Sequence, residues 1–200
     1  MTRAVAAMPV GHRIAMILLS LLCLTGLARI GEGAVILAKA IAAQLLLERA
    51  FDRSRAEHRP VKPWFWADMA PVLRLGVPRL GVDRIVLDSG SGQAMAFGPT
   101  LLPGSARPGD PGVAVIAAHR DTHFGFLRDL RVGDGIDVDG VDGSHRRYRV
   151  TGQQIVRWDR FAVPEQAGAS GLALSTCYPF DAVRHGPLRY VVQAVLVDGR

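Results

Sequence analysis

Leu172 to Phe180, L-A-L-S-T-C-Y-P-F, is the stretch on which the reading of this chain turns. Leu172 to Thr176 has the character of a short β-strand, and Pro179 stops it in a turn. Cys177 therefore falls at the edge of a rigid element. The only other cysteine, Cys23, lies in an apolar amino-terminal run that reads as membrane-embedded. A thiol in a folded domain cannot pair with one held in a bilayer, so Cys177 is expected to have no disulfide partner within the chain. An unpaired cysteine in a chain that also carries histidine and arginine is a candidate nucleophile.

Working outward, the same β character recurs in short runs split by turns. These are Leu73 to Val77, Val82 to Leu87, Val113 to Ala118, Gly135 to Val138, Tyr148 to Thr151, Gln154 to Trp158 and Leu188 to Val197. Val113 to Ala118 is continuously apolar and reads as a buried strand. A loop rich in Gly, Ser and Pro is expected from Asp88 to Gly112, and one or two helical turns from Phe124 to Leu130. A parallel α/β sheet would need crossover helices for which the domain has no room. Many short strands with little helix predict a mainly β fold, a closed or nearly closed barrel.

The first third of the chain is different. Ile14 to Ala28, I-A-M-I-L-L-S-L-L-C-L-T-G-L-A, carries no charge and follows Arg3, His12 and Arg13. As a helix it rises about 22 Å, a little short of a ~30 Å hydrocarbon core. Local thinning, or snorkelling of Arg13 and Arg29, closes that gap. A second apolar stretch, Ala34 to Leu47, has Ile36, Ala40, Ala43 and Leu47 on one helical stripe, with Gly31 and Gly33 as an expected bend before it. A retained signal anchor is the preferred reading. A cleaved signal peptide is the alternative, although no clean small-x-small site follows the run. The domains expected are an anchor over residues 1–30, a helical juxtamembrane segment and linker over 31–62, and a β domain over 63–200. At the entry to the β domain, Trp64, Phe65 and Trp66 either cover part of the core or sit at a membrane interface.

The net charge of +6 comes almost entirely from arginine, Lys39 and Lys62 being the only lysines. Arg49, Arg53, Arg55 and Arg59 crowd just after the apolar part, as a solvated helix end or as a contact to anionic lipid. No basic helix with groove spacing and no interleaved aromatic platform is present, so nucleic acid is not an expected partner. Arg3 and Arg13 before the span nearly balance Arg29 and Lys39 after it, so charge does not decide sidedness. The expected arrangement is amino terminus inside and domain outside.

His119 ends the strand Val113 to Ala118, and Arg189 stands in L-R-Y-V-V-Q-A-V, on the face opposite Tyr190. With Cys177 these make a chemically coherent set. A free thiol is mostly protonated at neutral pH, and neighbouring cations favour the attacking thiolate. A histidine gives a proton to a departing amine and removes one from an incoming nucleophile. An arginine stays charged and donates hydrogen bonds to a developing oxyanion. Each also has a plain structural reading: a small buried cysteine, a satisfied strand-end histidine, a surface ion pair. His119, His123 and Cys177 could instead be zinc ligands, but no fourth ligand is evident, and neither a metal nor a cofactor is expected.

The strings A-A-H-R-D-T-H-F-G-F-L-R-D-L-R-V-G-D, L-S-T-C-Y-P-F and L-R-Y-V-V together resemble the sortase transpeptidases, over roughly Val72 to Val197. The segment from Pro103 to Arg120 follows the family's run into its histidine strand. The resemblance is to the group from Gram-negative bacteria, near the class D and class E enzymes. It implies an eight-stranded sortase-type closed β-barrel with short helices, preceded by a membrane helix. It places the family's cysteine on Cys177, its histidine on His119 and its arginine on Arg189, with Arg184 as the competing arginine. Thr176 and Asp121 are supporting candidates; Asp121 either orients His119 or a neighbouring loop, or is a turn residue. Two departures are visible: Ala173 replaces the first Thr of T-L-x-T-C, and Ala118 stands where many relatives have Gly. The implied activity is cleavage of an LPXTG-like sorting signal near the carboxyl end of a secreted protein, through a thioester, with transfer to an amine acceptor. The implied location is the inner membrane, with the catalytic domain on the periplasmic side.

Two rivals remain open at the level of sequence. One is a non-catalytic, membrane-tethered binding barrel. The other is a Cys/His hydrolase or transpeptidase acting on peptidoglycan, whose usual S-H-G-C-like string is absent here.

Overall fold

The computed structural model describes residues 10–160, 169–184 and 186–199; Arg3 and the start of the expected anchor lie outside them. Contacts divide the chain into two compact units, residues 1–42 and 43–200. One helix, α1, Val10–Glu57, runs for 48 residues through the boundary. The helix is not interrupted at Gly31 and Gly33, and Ile14 to Ala28 and Ala34 to Leu47 belong to this single helix. A glycine inside a helix costs about 1 kcal/mol relative to alanine and does not by itself break it. Every side chain from Val10 to Ala42 is exposed, and α1 has the length and composition to cross a membrane.

The second unit begins inside α1. Ala43, Leu47, Ala50, Phe51 and Ser54 form one buried stripe, so the stripe expected from Ile36 is buried only from Ala43 onward. After Glu57 the chain turns through His58 in the left-handed conformation (φ 51°). The Arg59 amide returns to the Ser54 carbonyl (3.1 Å) and the His58 amide to that of Arg55 (3.4 Å), a Schellman ending. The Ser54 hydroxyl accepts from the Val61 amide at 2.8 Å and fixes the departing chain.

Eight strands follow: β1 Pro71–Val77, β2 Val82–Leu87, β3 Thr100–Leu101, β4 Gly112–Ala117, β5 Gly135–Gly140, β6 His145–Arg157, β7 Ser170–Tyr178 and β8 Leu188–Gly199. They close into a barrel in the order β1-β2-β3-β4-β7-β8-β6-β5. The pairs β2–β3 and β4–β7 are parallel and the others antiparallel. The expected closed barrel is therefore observed, with two differences in its parts. Tyr148 to Thr151 and Gln154 to Trp158 are one strand, β6. The loop from Asp88 contains a short helix, α2 Gly92–Phe97, and the two-residue β3. The Ser91 hydroxyl caps α2 by accepting from the Ala94 amide at 3.1 Å, as a serine N-cap should. The helical turns expected near Phe124 are a 3₁₀ segment, Gly125–Asp129.

Strand alternation sorts side chains between the two surfaces of the barrel wall. Leu73, Leu75, Ile116, Ile136, Tyr148, Leu172, Leu174 and Val192 fill the interior, with Phe124 and Leu127 from the 3₁₀ region. A second cluster lies on the other surface of β2, where Ile85 and Leu87 meet Leu47 and Phe51 of α1, Met69 and Ala94. Trp64 packs against this cluster, edge-on to Phe97 at 5.3 Å. Phe65 and Trp66 instead stay exposed as an edge-to-face pair at 4.3 Å. A third, smaller cluster, Val115, Ala173 and Val191, covers the outer surface of β4, β7 and β8.

Candidate active site

β7 lies between β4 and β8, and this order assembles the site. In the antiparallel β7–β8 ladder Cys177 pairs directly with Arg189, so their side chains leave the same surface of the sheet. Counting in twos from Ala173 and Val191 makes this the outer surface. Tyr190, one residue on, packs against the barrel interior and stacks with Tyr178 at 6.2 Å. The opposite facing of Arg189 and Tyr190 expected from alternation is thus observed.

On the other side of β7, the parallel ladder with β4 runs to Ala117↔Ser175. It gains one further bond, from the Ala118 amide to the Ser175 carbonyl at 3.2 Å. Two residues past these partners stand His119 and Cys177. Both line one cleft of ≈ 350 Å³, together with Arg120, Asp121, Phe180, Asp181, Ala182 and Val183. Thr176 points the other way. Its hydroxyl is buried and donates to the Ala118 carbonyl at 2.7 Å, tying the residue before Cys177 to the residue before His119.

The structure thus brings Cys177 and His119 into one cleft and sets Arg189 across the ladder from Cys177. Arg189 is not itself in the cleft lining. Its Nη1 donates to the carbonyls of Gly186 (3.0 Å) and Leu188 (2.9 Å), and no carboxylate among the described residues pairs with it. Arg184 is exposed in the β7–β8 connection, away from the ladder. Asp121 lines the cleft but is exposed in a turn and makes no hydrogen bond to His119 among the described residues. Cys177 and Cys23 are both free thiols, Cys177 half-buried and Cys23 exposed.

His123 has a different environment from His119. Burial holds its imidazole below the usual range; the charges of Arg84 and His119 act in the same direction, and a hydrogen bond with the Ala96 backbone opposes them. No group of three His, Cys, Asp or Glu side chains suited to a metal ion forms among the described residues, so the alternative zinc set of His119, His123 and Cys177 is not assembled. At the two departures from the T-L-x-T-C and Gly-His patterns the alanines are buried. Ala173 is fully buried between Val115 and Val191, and Ala118 faces the barrel core.

Several residues of the cleft, Arg120 among them, are not marked out by the sequence. Arg120 is only 8% exposed, and its Nη2 donates to the carbonyls of Ala182 and Arg184. It follows His119 directly, but nothing in the string H-R-D announces that its partners lie sixty residues away.

Comparison with known proteins adds an independent line. The family profile described as the Sortase domain matches residues 75–197. The chain is 27% identical over 119 residues to Sortase D of Bacillus subtilis (strain 168), covering 59% of this chain and 60% of that protein. It therefore spans about 60% of the length of that curated relative. Among solved structures, a Clostridium perfringens Sortase D5 transpeptidase aligns with a TM-score of 0.63 at 16% identity, over 78% of this chain and 99% of that one. Streptococcus agalactiae sortase C1 aligns with a TM-score of 0.58 at 22% identity, over 63% and 66%. At these identities the solved structures bear on the fold alone.

Proposed function

Because the chain belongs to the sortase family, we propose that it is a membrane-anchored cysteine transpeptidase acting on an LPXTG-like sorting signal of a secreted protein. The observation that carries this reading is the meeting of Cys177 and His119 in one cleft, with Arg189 opposite Cys177 on the next strand. In the proposed reaction the Cys177 thiolate attacks the carbonyl carbon of the scissile peptide bond. A C–S bond forms and the carbonyl electrons move onto oxygen, where a cation and N–H donors lower the barrier. Collapse of that oxyanion breaks the C–N bond, and His119 donates the proton that the leaving amine needs. The thioester that remains is attacked by an acceptor amine, which gives its proton to His119, and the thiolate departs. Arg189 has the fixed charge and unshared N–H groups to stabilise the oxyanion or to hold the signal backbone.

Thr176 takes a supporting role, since its hydroxyl ties the two strand ends together. Asp121 is better suited to the turn after His119 than to orienting the ring. In this reading the anchor is residues 1–30, which α1 covers from Val10 onward, continued by a juxtamembrane segment over 31–62, with residues 63–200 as the catalytic domain. The same reading puts the domain on the periplasmic side of the inner membrane of a Gram-negative cell. The competing reading, a tethered barrel that binds without catalysis, leaves the meeting of thiol and imidazole in one cleft, with Arg189 across the ladder, without a purpose.

The experiment is incubation of the purified protein with a sorting-signal peptide, followed by intact-mass measurement. A thioester adduct on Cys177, released by an added amine, is the expected result. A protein that binds the peptide but never acquires the adduct would support the binding-module reading instead.

A further inference from the structure

Arg120 is a buried charge whose position the proposed chemistry does not use. Its Nη2 bonds the carbonyls of Ala182 and Arg184, which flank Val183. Its Nη1 is buried and has no hydrogen-bond partner among the described residues. Burying a guanidinium is costly, and leaving one of its donors unmatched adds to that cost. An apolar side chain of similar volume at such a site is often neutral or stabilising. Stability is therefore a poor reason for an arginine here, and geometry is a better one. A guanidinium stays charged and presents several N–H donors, and here its Nη2 alone reaches both carbonyls.

What it holds is one wall of the cleft. Phe180, Asp181, Ala182 and Val183 line the cleft facing His119 and Cys177. The wall is gripped a second time by the same segment of chain, since Arg128 reaches Asp181 at 3.3 Å and lies 4.8 Å over the Phe180 ring. That outer contact is exposed and worth little; the Arg120 contact is buried. Between its two gripped carbonyls, Val183 is fully exposed.

We propose that Arg120 is a positioning residue for the proposed acyl transfer: it sets the wall Phe180–Arg184 at its working distance from Cys177, so that the peptide is held in register with the thiol. The inference rests on the functional reading above. It assigns Arg120 no contact with the reacting atoms, so its loss acts on substrate binding and leaves the chemistry of the thiol alone.

The test uses the full chain and the variants Arg120→Met and Arg120→Lys, the second guarding against a misfolded first. Amide hydrogen exchange at Ala182, whose amide bonds the Pro179 carbonyl (3.4 Å), is expected to accelerate about 10-fold or more, with the β7 amides unchanged. The KM for a sorting-signal peptide is expected to rise about 10-fold, with kcat within about threefold. Alkylation of Cys177 by iodoacetamide should keep its wild-type rate. Unchanged exchange in the wall, or an unchanged KM in the folded Lys variant, overturns the proposal; so does a fall in alkylation rate matching the loss of kcat/KM. Failure of the wild-type protein to acylate at all would sink the functional reading, and this inference with it. Defects confined to the variants bear on Arg120 alone.

Discussion

The hydroxyl of Thr176 donates to the carbonyl of Ala118 at 2.7 Å across the parallel β4–β7 ladder. Because Thr176 precedes Cys177 and Ala118 precedes His119, this buried bond fixes two strand ends whose next residues share a cleft. Replacing Thr176 by Val keeps the shape and leaves that carbonyl unmatched, which costs about 1–3 kcal/mol. Urea denaturation should show the loss, and Thr176→Ser should recover most of it. Equal stability of the Val variant would mean that the bond is not needed.

Cys177→Ala is expected to lower transfer from a sorting-signal peptide by about 10³-fold or more, as loss of a nucleophile does. Mass spectrometry should find no acyl adduct on the variant. Product formation at the wild-type rate would remove Cys177 from the mechanism.

The two arginines after Cys177 make different predictions. Arg189 pairs with Cys177 in the ladder, whereas Arg184 is exposed in the connection before it. Arg189→Ala should lower kcat/KM by about 10²–10³-fold, the scale of losing an oxyanion donor. Arg189→Lys keeps the charge but not the fork and should recover only part of that loss. Arg184→Ala should stay near wild type in steady-state kinetics; the reverse ranking would exchange the two assignments.

His123 predicts a pH effect on stability. Its imidazole is held below the usual range, chiefly by burial, so the unfolded chain binds its proton at a higher pH than the folded one. The stability that depends on neutral His123 is present above the unfolded value of about 6.5 and is lost as pH falls through the lower folded value. His123→Asn should flatten the acid side of the stability curve measured by denaturant titration from neutral pH downward. An identical slope in the variant would contradict the environment described here.

The division at residue 42 predicts where α1 can be cut. Removing residues 1–42 should shift the protein from the membrane to the soluble fraction while the barrel keeps its thermal transition. Phe51 is 1% exposed and belongs to the cluster on β2, so Phe51→Ala should cost about 3–5 kcal/mol. A shortened chain that remains with the membrane would argue against residues 14–28 as the anchor.

The pattern of short apolar runs was enough to read a barrel, because each strand carries its own alternation or apolar continuity. Even so, the two-residue β3 was hidden: it has too few residues to show a period, and only its partners Leu87, Ile116 and Ala117 make it a strand. The continuity of α1 through Gly31 and Gly33 was equally hard to see, since a glycine signals a break without imposing one. Trp64, Phe65 and Trp66 are adjacent in sequence, yet one is packed and two are exposed; the difference lies in Phe97, far along the chain.

By itself the sequence determined the residue types able to do acyl-transfer chemistry and the strand ends on which they sit, because local apolar pattern and turn residues specify strands. The register was decided only by the tertiary structure. Cys177 opposite Arg189, His119 level with Cys177, and Arg120 bonded to carbonyls beyond β7 all depend on how distant strands pair. Pairing is set by the burial of the whole barrel, and no single stretch of the chain contains it.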